Sequence, residues 1–480
     1  MSRKVGTMGD VSENAGPPSD PRHPFARRET WLLLVSLALI PLSGLLPIDA
    51  SQPAAAGLDP AKIRLGLGIF LCIGMLWMCE ALPLAATALL VPILATLTGV
   101  MDMKAALAGF GDPLIFLFFG GFALASAMAV QGLDRWIADR IMVAGKGKFL
   151  RVSWLIFCAT AFLSMWMSNT ATTALMIPLV LGILRELPPG EGSSRNAMYL
   201  LLGTAYASSI GGLGTVVGTP PNGVAAVQLG IGFVEWLRYG VPAVLVLLPL
   251  MVLALRLSCR PTAMRFPLPE AKRFEWHGRR IATLVIFGVA ALLWIFGEIL
   301  GKQIGVKSNT DTVVALLAVM ALVISKAAGW KDIERGTEWG VLLLFGGGLA
   351  LSSVLDKTGA SAFMAREIVT LVHGWPLILV IGVSLLFVIL LGEFSSNTAT
   401  ALLMVPIFYS IAKELGVAPA KLVIPIAIAS SCGFMLPVAT PPNAIVFATG
   451  MIPQREMMKA GVLLDFFCLV AVTLLAWWVF

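Results

Sequence analysis

The chain alternates between blocks of about 18 to 25 apolar residues and short polar segments. A helix of that length spans the hydrocarbon core of a bilayer, whereas a β-barrel would show shorter segments of alternating hydrophobicity. The pattern predicts an all-α polytopic membrane protein with about 11 transmembrane helices. The predicted spans cover residues 30–49, 63–80, 83–101, 113–138, 196–218, 236–257, 281–301, 311–328, 339–356, 420–439 and 459–480.

Two further apolar stretches, 152–187 and 376–414, are interrupted in the middle by the sequence Ser-Asn-Thr-Ala-Thr. Ser, Asn and Thr side chains compete for backbone hydrogen bonds and weaken a helix. Each half of these stretches is also too short to cross a membrane alone. We therefore expect two re-entrant helix–turn–helix hairpins, whose broken backbone is tolerated at membrane depth where it lines a cavity or is buried in protein.

Composition and charge agree with this class. Hydrophobic residues make up 58% of the 480 positions and charged residues 13%, and mean hydropathy is +0.89. The formal net charge of +7 comes from basic residues between apolar blocks, where it reports topology and not nucleic-acid binding. By the positive-inside rule, the N-terminus is cytoplasmic, the C-terminus is extracytoplasmic, and the polar residues 1–28 form a disordered cytoplasmic tail. We expect the inner (cell) membrane as the location, with the lipid bilayer as a partner.

The sequence also repeats internally. Ser168-Asn169-Thr170-Ala171-Thr172 recurs as Ser396-Asn397-Thr398-Ala399-Thr400, and Thr219-Pro220-Pro221-Asn222 recurs as Thr440-Pro441-Pro442-Asn443. Phe119-Gly120-Gly121, expected to allow close helix packing, recurs as Phe345-Gly346-Gly347. The fourth and ninth predicted spans correspond, and an odd number of crossings separates them, which predicts copies inverted in the membrane. Inverted repeats with interrupted helices are typical of secondary transporters, with the site at the repeat interface.

The motif residues can bind an anion and a hard cation at the same site. Each half-helix that begins after a Ser-Asn-Thr turn points its positive dipole end into the site. Two consecutive prolines stop a helix, which leaves the carbonyl groups of Gly218 and Ala439 without helical partners. No Lys, Arg, Asp or Glu occurs between Val152 and Leu184. Because burying a divalent anion among neutral groups is costly, a co-bound cation such as Na⁺ is the simplest source of positive charge.

These paired motifs resemble the divalent-anion:sodium symporter family, the INDY-type dicarboxylate and citrate carriers, over nearly the whole chain after the tail. The resemblance implies sodium-coupled symport of C4-dicarboxylates (succinate, malate, fumarate) into the cell, Na⁺ as coupling ion, no enzymatic activity and a homodimer. It also implies a scaffold domain and a transport domain that moves as an elevator. The corresponding ranges are 1–28 tail, 29–112 scaffold helices 1–3, 113–258 first repeat (hairpin 152–187, broken helix near 214–222), 259–280 basic cytoplasmic loop, 281–338 scaffold helices 7–8, 339–451 second repeat (hairpin 376–414, broken helix near 436–443) and 452–480 last helix.

The resemblance assigns residues to three sites. The substrate would contact Ser168, Asn169, Thr170, Thr219, Pro220, Ser396, Asn397, Thr398, Thr440 and Pro441. The first sodium ion would bind Ser164, Ser168, Asn169 and the Gly218 carbonyl, and the second Ser396, Asn397 and the Ala439 carbonyl. Two positions depart from the family pattern. Gly392 offers no side-chain ligand where the first repeat has Ser164, and the methyl group of Thr219 narrows the pocket, which favours a compact C4 dicarboxylate.

Several alternatives stay open at this stage. The same scaffold fits a sodium-independent dicarboxylate exchanger or a citrate or sulfate carrier. An intramembrane enzyme would need an ionisable dyad or metal ligands, which the motif segments lack, and a channel would not give saturable counterflow. For Glu393, a functional role and a structural hydrogen bond with a backbone N–H or hydroxyl group near the hairpin both stay open. For Asp465 in the last span, we expect a structural hydrogen bond.

Overall fold

The structure, a computed structural model, describes residues 27–48, 57–133, 136, 140, 147–187, 191–265, 274–304 and 309–479. These residues form α-helices, short 3₁₀ turns and connecting loops, and the extended pairing among them is one isolated bridge between Lys148 and Arg265. The all-helical prediction is therefore confirmed. The predicted tail up to residue 26 and the loop residues 266–273 lie outside the described residues.

The helices of the first half are α1 (Arg27–Leu42), α2 (Pro60–Met78), α3 (Leu84–Leu97), α4 (Met103–Leu107), α5 (Pro113–Val130), α6 (Phe149–Ser164), α7 (Asn169–Arg185), α8 (Glu191–Gly212), α9 (Pro220–Leu229) and α10 (Phe233–Cys259). Those of the second half are α11 (Gly278–Ile304), α12 (Thr310–Ile324), α13 (Trp330–Gly336), α14 (Trp339–Thr358), α15 (Ala360–Leu371), α16 (Leu377–Gly392), α17 (Asn397–Glu414), α18 (Ala420–Ser430), α19 (Pro441–Phe447) and α20 (Gln454–Trp478).

Within the described ranges, six segments are long and apolar enough to cross a membrane. They are Pro60–Met78, Met103–Val130, Phe233–Cys259, Gly278–Gly297, Trp339–Thr358 and Gln454–Trp478. The other apolar helices are shorter. Several membrane-spanning helices are therefore present, while the count of 11 stays a prediction.

All four predicted interruptions coincide with helix breaks. Residues 165–168 separate α6 from α7, and residues 393–396 separate α16 from α17. The first Thr-Pro-Pro-Asn break follows α8 at Gly212, and α9 starts with Pro220. The second break is longer than expected, because α18 ends at Ser430 and α19 begins only at Pro441.

The sequence-based map also missed α15, an amphipathic helix between the predicted ninth span and the second hairpin. Its apolar side packs on α17, and its polar side is exposed, so it never forms a continuous apolar block.

In each half of the chain, the helix that follows the Pro-Pro break packs against helices of the other half. The helix after the first break, α9, packs against α17 and α18 of the second half. The helix after the second break, α19, packs against α7 and α8 of the first half. The two sets of contacts correspond to each other, because each Thr-Pro-Pro-Asn helix packs on the Ser-Asn-Thr helix of the other half. The helix breaks therefore lie where the two halves meet.

Close helix packing at the two Gly-Gly motifs follows from the missing side chains. A Cβ built on Gly120 would lie 2.5 Å from the Cβ of Ala315, on the α5–α12 contact. A Cβ built on Gly347 would lie 2.5 Å from that of Ala88, on the α14–α3 contact. Any larger residue would push these helix pairs apart, which confirms the packing interpretation of both motifs.

Candidate functional site

The four motif segments converge on one cavity of about 720 Å³. Twelve sequence-predicted residues line it: Ser168, Asn169, Thr170, Gly218, Thr219, Pro220, Ser396, Asn397, Thr398, Ala439, Thr440 and Pro441. The remaining predicted residue, Ser164, is fully buried behind the first hairpin turn. Segments more than 200 residues apart in sequence thus share one cavity of the size that small-molecule sites have.

Four helices begin at this cavity. Ser168, Thr219, Ser396 and Thr440 are the N-cap residues of α7, α9, α17 and α19, and all four line the cavity. The first N–H groups of a helix lack intrahelical partners and carry the positive end of its dipole. Prolines occupy the first turns of α9 and α19, so the free N–H donors come mainly from α7 and α17.

No Lys, Arg or His is found among the residues that line this cavity. Its two charged residues are Glu80 and Glu338, both exposed. An anion inside would therefore meet dipoles, hydroxyl groups and carboxamides but no fixed positive charge. The side chains of the wall therefore cannot neutralise a divalent anion.

Oxygen atoms gather behind the first hairpin turn. The hydroxyl of Ser164 lies 2.7 Å from Asn169 Oδ1 and 2.7 Å from the Ser208 carbonyl oxygen. A Cβ built on Gly212 would collide with Asn169 Oδ1 and contact the Gly218 carbonyl oxygen, so both oxygens face the same point. Neutral oxygen ligands of this kind suit a hard monovalent cation such as Na⁺.

The second hairpin turn lacks one of these oxygens. Gly392 stands where the first repeat has Ser164, and a Cβ built on it would lie 3.8 Å from the Ser430 carbonyl oxygen. Asn397 Oδ1 is buried and has no hydrogen-bond partner among the described residues, whereas Asn169 Oδ1 accepts from Ser164. The two copies are therefore chemically unequal at this point.

The asparagine that ends each Thr-Pro-Pro-Asn motif is a structural residue that the sequence analysis did not single out. Asn222 Nδ2 donates to the carbonyls of Gly212 and Thr215, at 2.9 and 2.7 Å. Asn443 Nδ2 donates to those of Gly433 and Leu436, both at 3.0 Å. Each amide closes the loop of its own helix break, at matching positions in the two copies. The sequence signal for this structural role was that Asn recurs at the same position in both copies of the motif.

Glu393 makes the hydrogen bonds that its structural interpretation requires. Its carboxylate accepts from the backbone N–H groups of Met435 and Leu436, each at 2.9 Å, and the residue is fully buried. These bonds hold part of the long second break away from helix geometry. Asp465 faces the carboxyl group of Glu393. With both acids ionised neither oxygen of Asp465 has a hydrogen-bond donor among the described residues, so the structural hydrogen bond expected for Asp465 would need a proton on one of the two acids.

Residues of the second repeat on the cavity wall are much more exposed than their counterparts in the first repeat. Val438 is 80% exposed and Phe394 is 73% exposed, while the corresponding Val217 is 6% exposed. Trp166, which corresponds to Phe394, is half-buried in an aromatic cluster. The cluster partners of Trp166 are Phe233, Phe287 and Trp294. Access is therefore asymmetric although the motifs are repeated.

Other residues on the cavity wall come from outside the motifs. The α2–α3 connection and the start of α14 supply Met78, Cys79, Glu80, Leu84, Glu338 and Val341. They carry no motif, so their position was visible only in the folded chain.

The sequence is similar to those of known membrane transporters. The sequence profile described as the sodium:sulfate symporter transmembrane region matches residues 28–480. An uncharacterized transporter of Haemophilus influenzae is 47% identical over 418 residues, which cover 86% of this chain and 90% of that protein. The sodium-dependent dicarboxylate transporter SdcS of Staphylococcus saprophyticus is 34% identical over 477 residues, 92% of this chain and 91% of that protein.

Two solved structures share the fold. The YdaH transporter of Alcanivorax borkumensis superimposes with a TM-score of 0.55 at 15% identity, covering 94% of this chain and 96% of that one. MtrF of Neisseria gonorrhoeae, described among antimetabolite efflux pumps, superimposes with a TM-score of 0.56 at 14% identity, covering 96% of both chains. At such low identity the likeness concerns the fold alone.

Proposed function

Because the chain belongs to the sodium:sulfate symporter family of multi-pass membrane transporters, we propose that it is a secondary active transporter that couples Na⁺ to the import of C4-dicarboxylates such as succinate, malate and fumarate. The observation that carries this proposal is the shared cavity, where the N-termini of α7 and α17 face each other's motif with no basic residue on the wall.

The electrostatics of the cavity favour coupling over simple anion binding. A dicarboxylate brings two negative charges, and the N-termini of α7 and α17 compensate each carboxylate only in part. One or two sodium ions beside the hairpin turns supply the missing positive charge without a lysine or arginine. A carrier that needs its cations to neutralise its anion binds the anion weakly in their absence, which is the basis of symport.

We assign the two sodium ions to the two hairpin turns. The first would bind the oxygens of Ser164, Ser168, Asn169 and Gly218, and the second those of Ser396, Asn397 and Ala439. The oxygen-rich point facing Gly212 supports the first assignment. The unpartnered, buried Asn397 Oδ1 supports the second, since a bound cation would satisfy it.

The substrate carboxylates would contact the side chains and free N–H groups of Ser168, Asn169, Thr170, Ser396, Asn397 and Thr398, with Thr219, Pro220, Thr440 and Pro441 completing the wall. The SdcS relatives are named for dicarboxylates, which favours that class over citrate or sulfate. Sodium-independent dicarboxylate exchange is the alternative for the same cavity.

We also propose a homodimer with scaffold helices 29–112 and 281–338 and a moving transport part that contains both hairpins. The cavity wall supports this division, because the α2–α3 connection and the residue before α14 line the cavity together with the motif segments; these residues are Met78, Cys79, Glu80, Leu84 and Glu338. An elevator motion would carry the hairpins past these fixed residues. The inverted orientation of the repeats, with a cytoplasmic N-terminus, belongs to the same proposal.

Uptake by proteoliposomes tests the function. Radiolabelled succinate should accumulate with an inward sodium gradient and not when choline replaces sodium. Asn169→Ala and Asn397→Ala should each abolish uptake while still inserting into the membrane. Asn196→Ala is the matched control, since Asn196 is a buried asparagine outside the cavity that bonds to Thr262; it should retain uptake.

Each unexpected result has a definite meaning. Equal uptake in sodium and choline would overturn symport in favour of exchange. Wild-type uptake by both hairpin variants would make the motifs structural only. Adding citrate, sulfate and malate as competitors ranks the substrates, and stronger competition by citrate or sulfate than by malate would contradict the C4 preference.

A further inference from the structure

A buried acidic pair lies beside the second helix break, outside the residues that the transport proposal uses. Its first member, Glu393, ends the first half of the second hairpin and is 0% exposed. Both of its carboxyl oxygens accept backbone hydrogen bonds, from Met435 and Leu436. Both oxygens of this carboxyl group are therefore already engaged by backbone donors.

The second member, Asp465, is on the last helix, α20, and is 6% exposed. Its helix approaches the same loop closely, because a Cβ built on Gly461 would collide with the Phe434 carbonyl group and with Met435 Cα. Asp465 follows Gly461 by four residues and so projects from the same helix face. Its carboxyl group lies against that of Glu393 and near the backbone of Phe434. No donor among the described residues reaches either of its oxygens at normal hydrogen-bond distance and angle.

No cation compensates this pair within the described part of the chain. The titratable groups that face it are the phenol of Tyr206 and the thiols of Cys432 and Cys468. The Tyr206 hydroxyl donates to the Phe434 carbonyl, so it does not serve the carboxyl groups.

The helices packed around the pair add no positive charge near it. α16 has no titratable residue, and α18 has only Lys421, near its start. The charged residues of α10 lie in its first two turns and its last turn. Two adjacent carboxylates cannot both stay ionised in such surroundings.

We propose that Glu393 and Asp465 together bind one proton, with Asp465 protonated and its hydroxyl group donating to the Glu393 carboxylate. The proton comes from water and no covalent bond to carbon changes. The shared hydrogen bond satisfies the otherwise unpartnered Asp465 and leaves Glu393 free to keep its two backbone bonds. The pair titrates as one unit.

A proton fits this place better than a sodium ion. Sodium needs several oxygen ligands at once, and the titratable side chains that the described residues place at the pair are two thiols and a hydroxyl group that already donates to Phe434. Both Glu393 oxygens already face N–H groups, which repel a metal ion placed on the same atoms.

The pair is linked to the proposed second sodium site through the loop that it holds. Leu436 donates its N–H to Glu393, and its carbonyl accepts from Asn443 and from the N–H of Ala439, a residue of the cavity wall. Loss of the proton would place two repelling charges against this loop. We therefore expect transport to fall at alkaline pH, an expectation that rests on the proposed transport function.

Infrared spectroscopy of the purified full-length protein tests proton binding without any transport assay. The wild type should show the C=O stretch of a protonated carboxyl group at neutral pH, and Asp465→Asn, whose amide can still donate to Glu393, should lose that band. Glu456→Gln is the matched control, because Glu456 is an acidic residue of the same helix paired at the surface with Lys459; it should keep the band. If the asparagine variant does not fold, Asp465→Ser replaces it, since the serine hydroxyl also donates.

The second measurement is the pH profile of sodium-driven succinate uptake. Wild type and Glu456→Gln should lose up to about tenfold in rate per pH unit above the release of the proton, the slope for one proton. Asp465→Asn should keep its rate over the same range. A protonated band that persists in Asp465→Asn, or a pH profile in that variant equal to the wild type, would overturn the proposal. If succinate is not transported at all, the infrared band still decides between the two outcomes.

Discussion

Replacing Gly392 with serine introduces into the second hairpin the hydroxyl group that the first hairpin has at Ser164. A Cβ at position 392 has room, because its nearest neighbour would be the Ser430 carbonyl oxygen at 3.8 Å. In the first copy the corresponding hydroxyl is 2.7 Å from both the Ser208 carbonyl and Asn169 Oδ1. The new hydroxyl should therefore reach Asn397 Oδ1, which is buried and unpartnered in the described chain.

The expected change in the free energy of unfolding follows from the unpartnered oxygen of Asn397. Leaving a buried acceptor unsatisfied costs about 1–3 kcal/mol, and one added hydrogen bond contributes a net of about 1 kcal/mol. Gly392→Ser should therefore raise the free energy of unfolding by about 1 kcal/mol relative to Gly392→Ala, which has the same backbone effect without the hydroxyl group. If the serine hydroxyl also serves as an oxygen ligand of the second sodium ion, as Ser164 would for the first, the sodium concentration that half-saturates uptake should fall. A net gain of about 1 kcal/mol in sodium binding corresponds to a decrease of about fivefold.

Thermal unfolding in detergent and the sodium dependence of succinate uptake measure these two effects. The serine variant should unfold at a higher temperature than the alanine variant and should reach half-maximal uptake at a lower sodium concentration. Identical unfolding midpoints and identical sodium curves for the two variants would refute the inference that the copies differ through this one hydroxyl group.

Two further predictions use the matching positions of the repeats. Asn443→Ala removes two hydrogen bonds and leaves the Gly433 carbonyl without a donor, while the Leu436 carbonyl keeps the N–H of Ala439. It should therefore lower the free energy of unfolding by about 2–4 kcal/mol in a detergent melt. The exposed-site variant Thr370→Ala should change it by no more than about 0.5 kcal/mol, and equal losses would contradict the structural role of the asparagine. In a chain without its native cysteines, Val438→Cys should react with a hydrophilic thiol reagent at least about tenfold faster than Val217→Cys, because position 438 is 80% exposed and position 217 is 6% exposed; similar rates would mean that the cavity is open on both sides.

The sequence alone determined the class, the family and the motif segments of this protein. Apolar blocks of membrane-spanning length are a local property, and so are helix breaks caused by Ser-Asn-Thr or by Pro-Pro, because the backbone groups involved lie within a few residues of one another. The duplication then made it reasonable to expect both copies at one site. α15 was missed for the same reason, since an amphipathic helix on the surface of the bundle forms no apolar block.

Only the tertiary structure decided how the copies meet and how they differ. The exchange of α9 and α19 between the halves, the open side at Val438 and the wall residues from Met78 to Leu84 depend on packing between distant segments. Asp465 shows the limit most clearly: 72 residues separate it from Glu393 (465 − 393). Its position inside an apolar span marked it as unusual, but nothing in its local sequence identifies its neighbour, and only the contact of α20 with the second break places its carboxyl group against that of Glu393. Electrostatic coupling depends on distance in space and on burial, and neither is a local property of the chain.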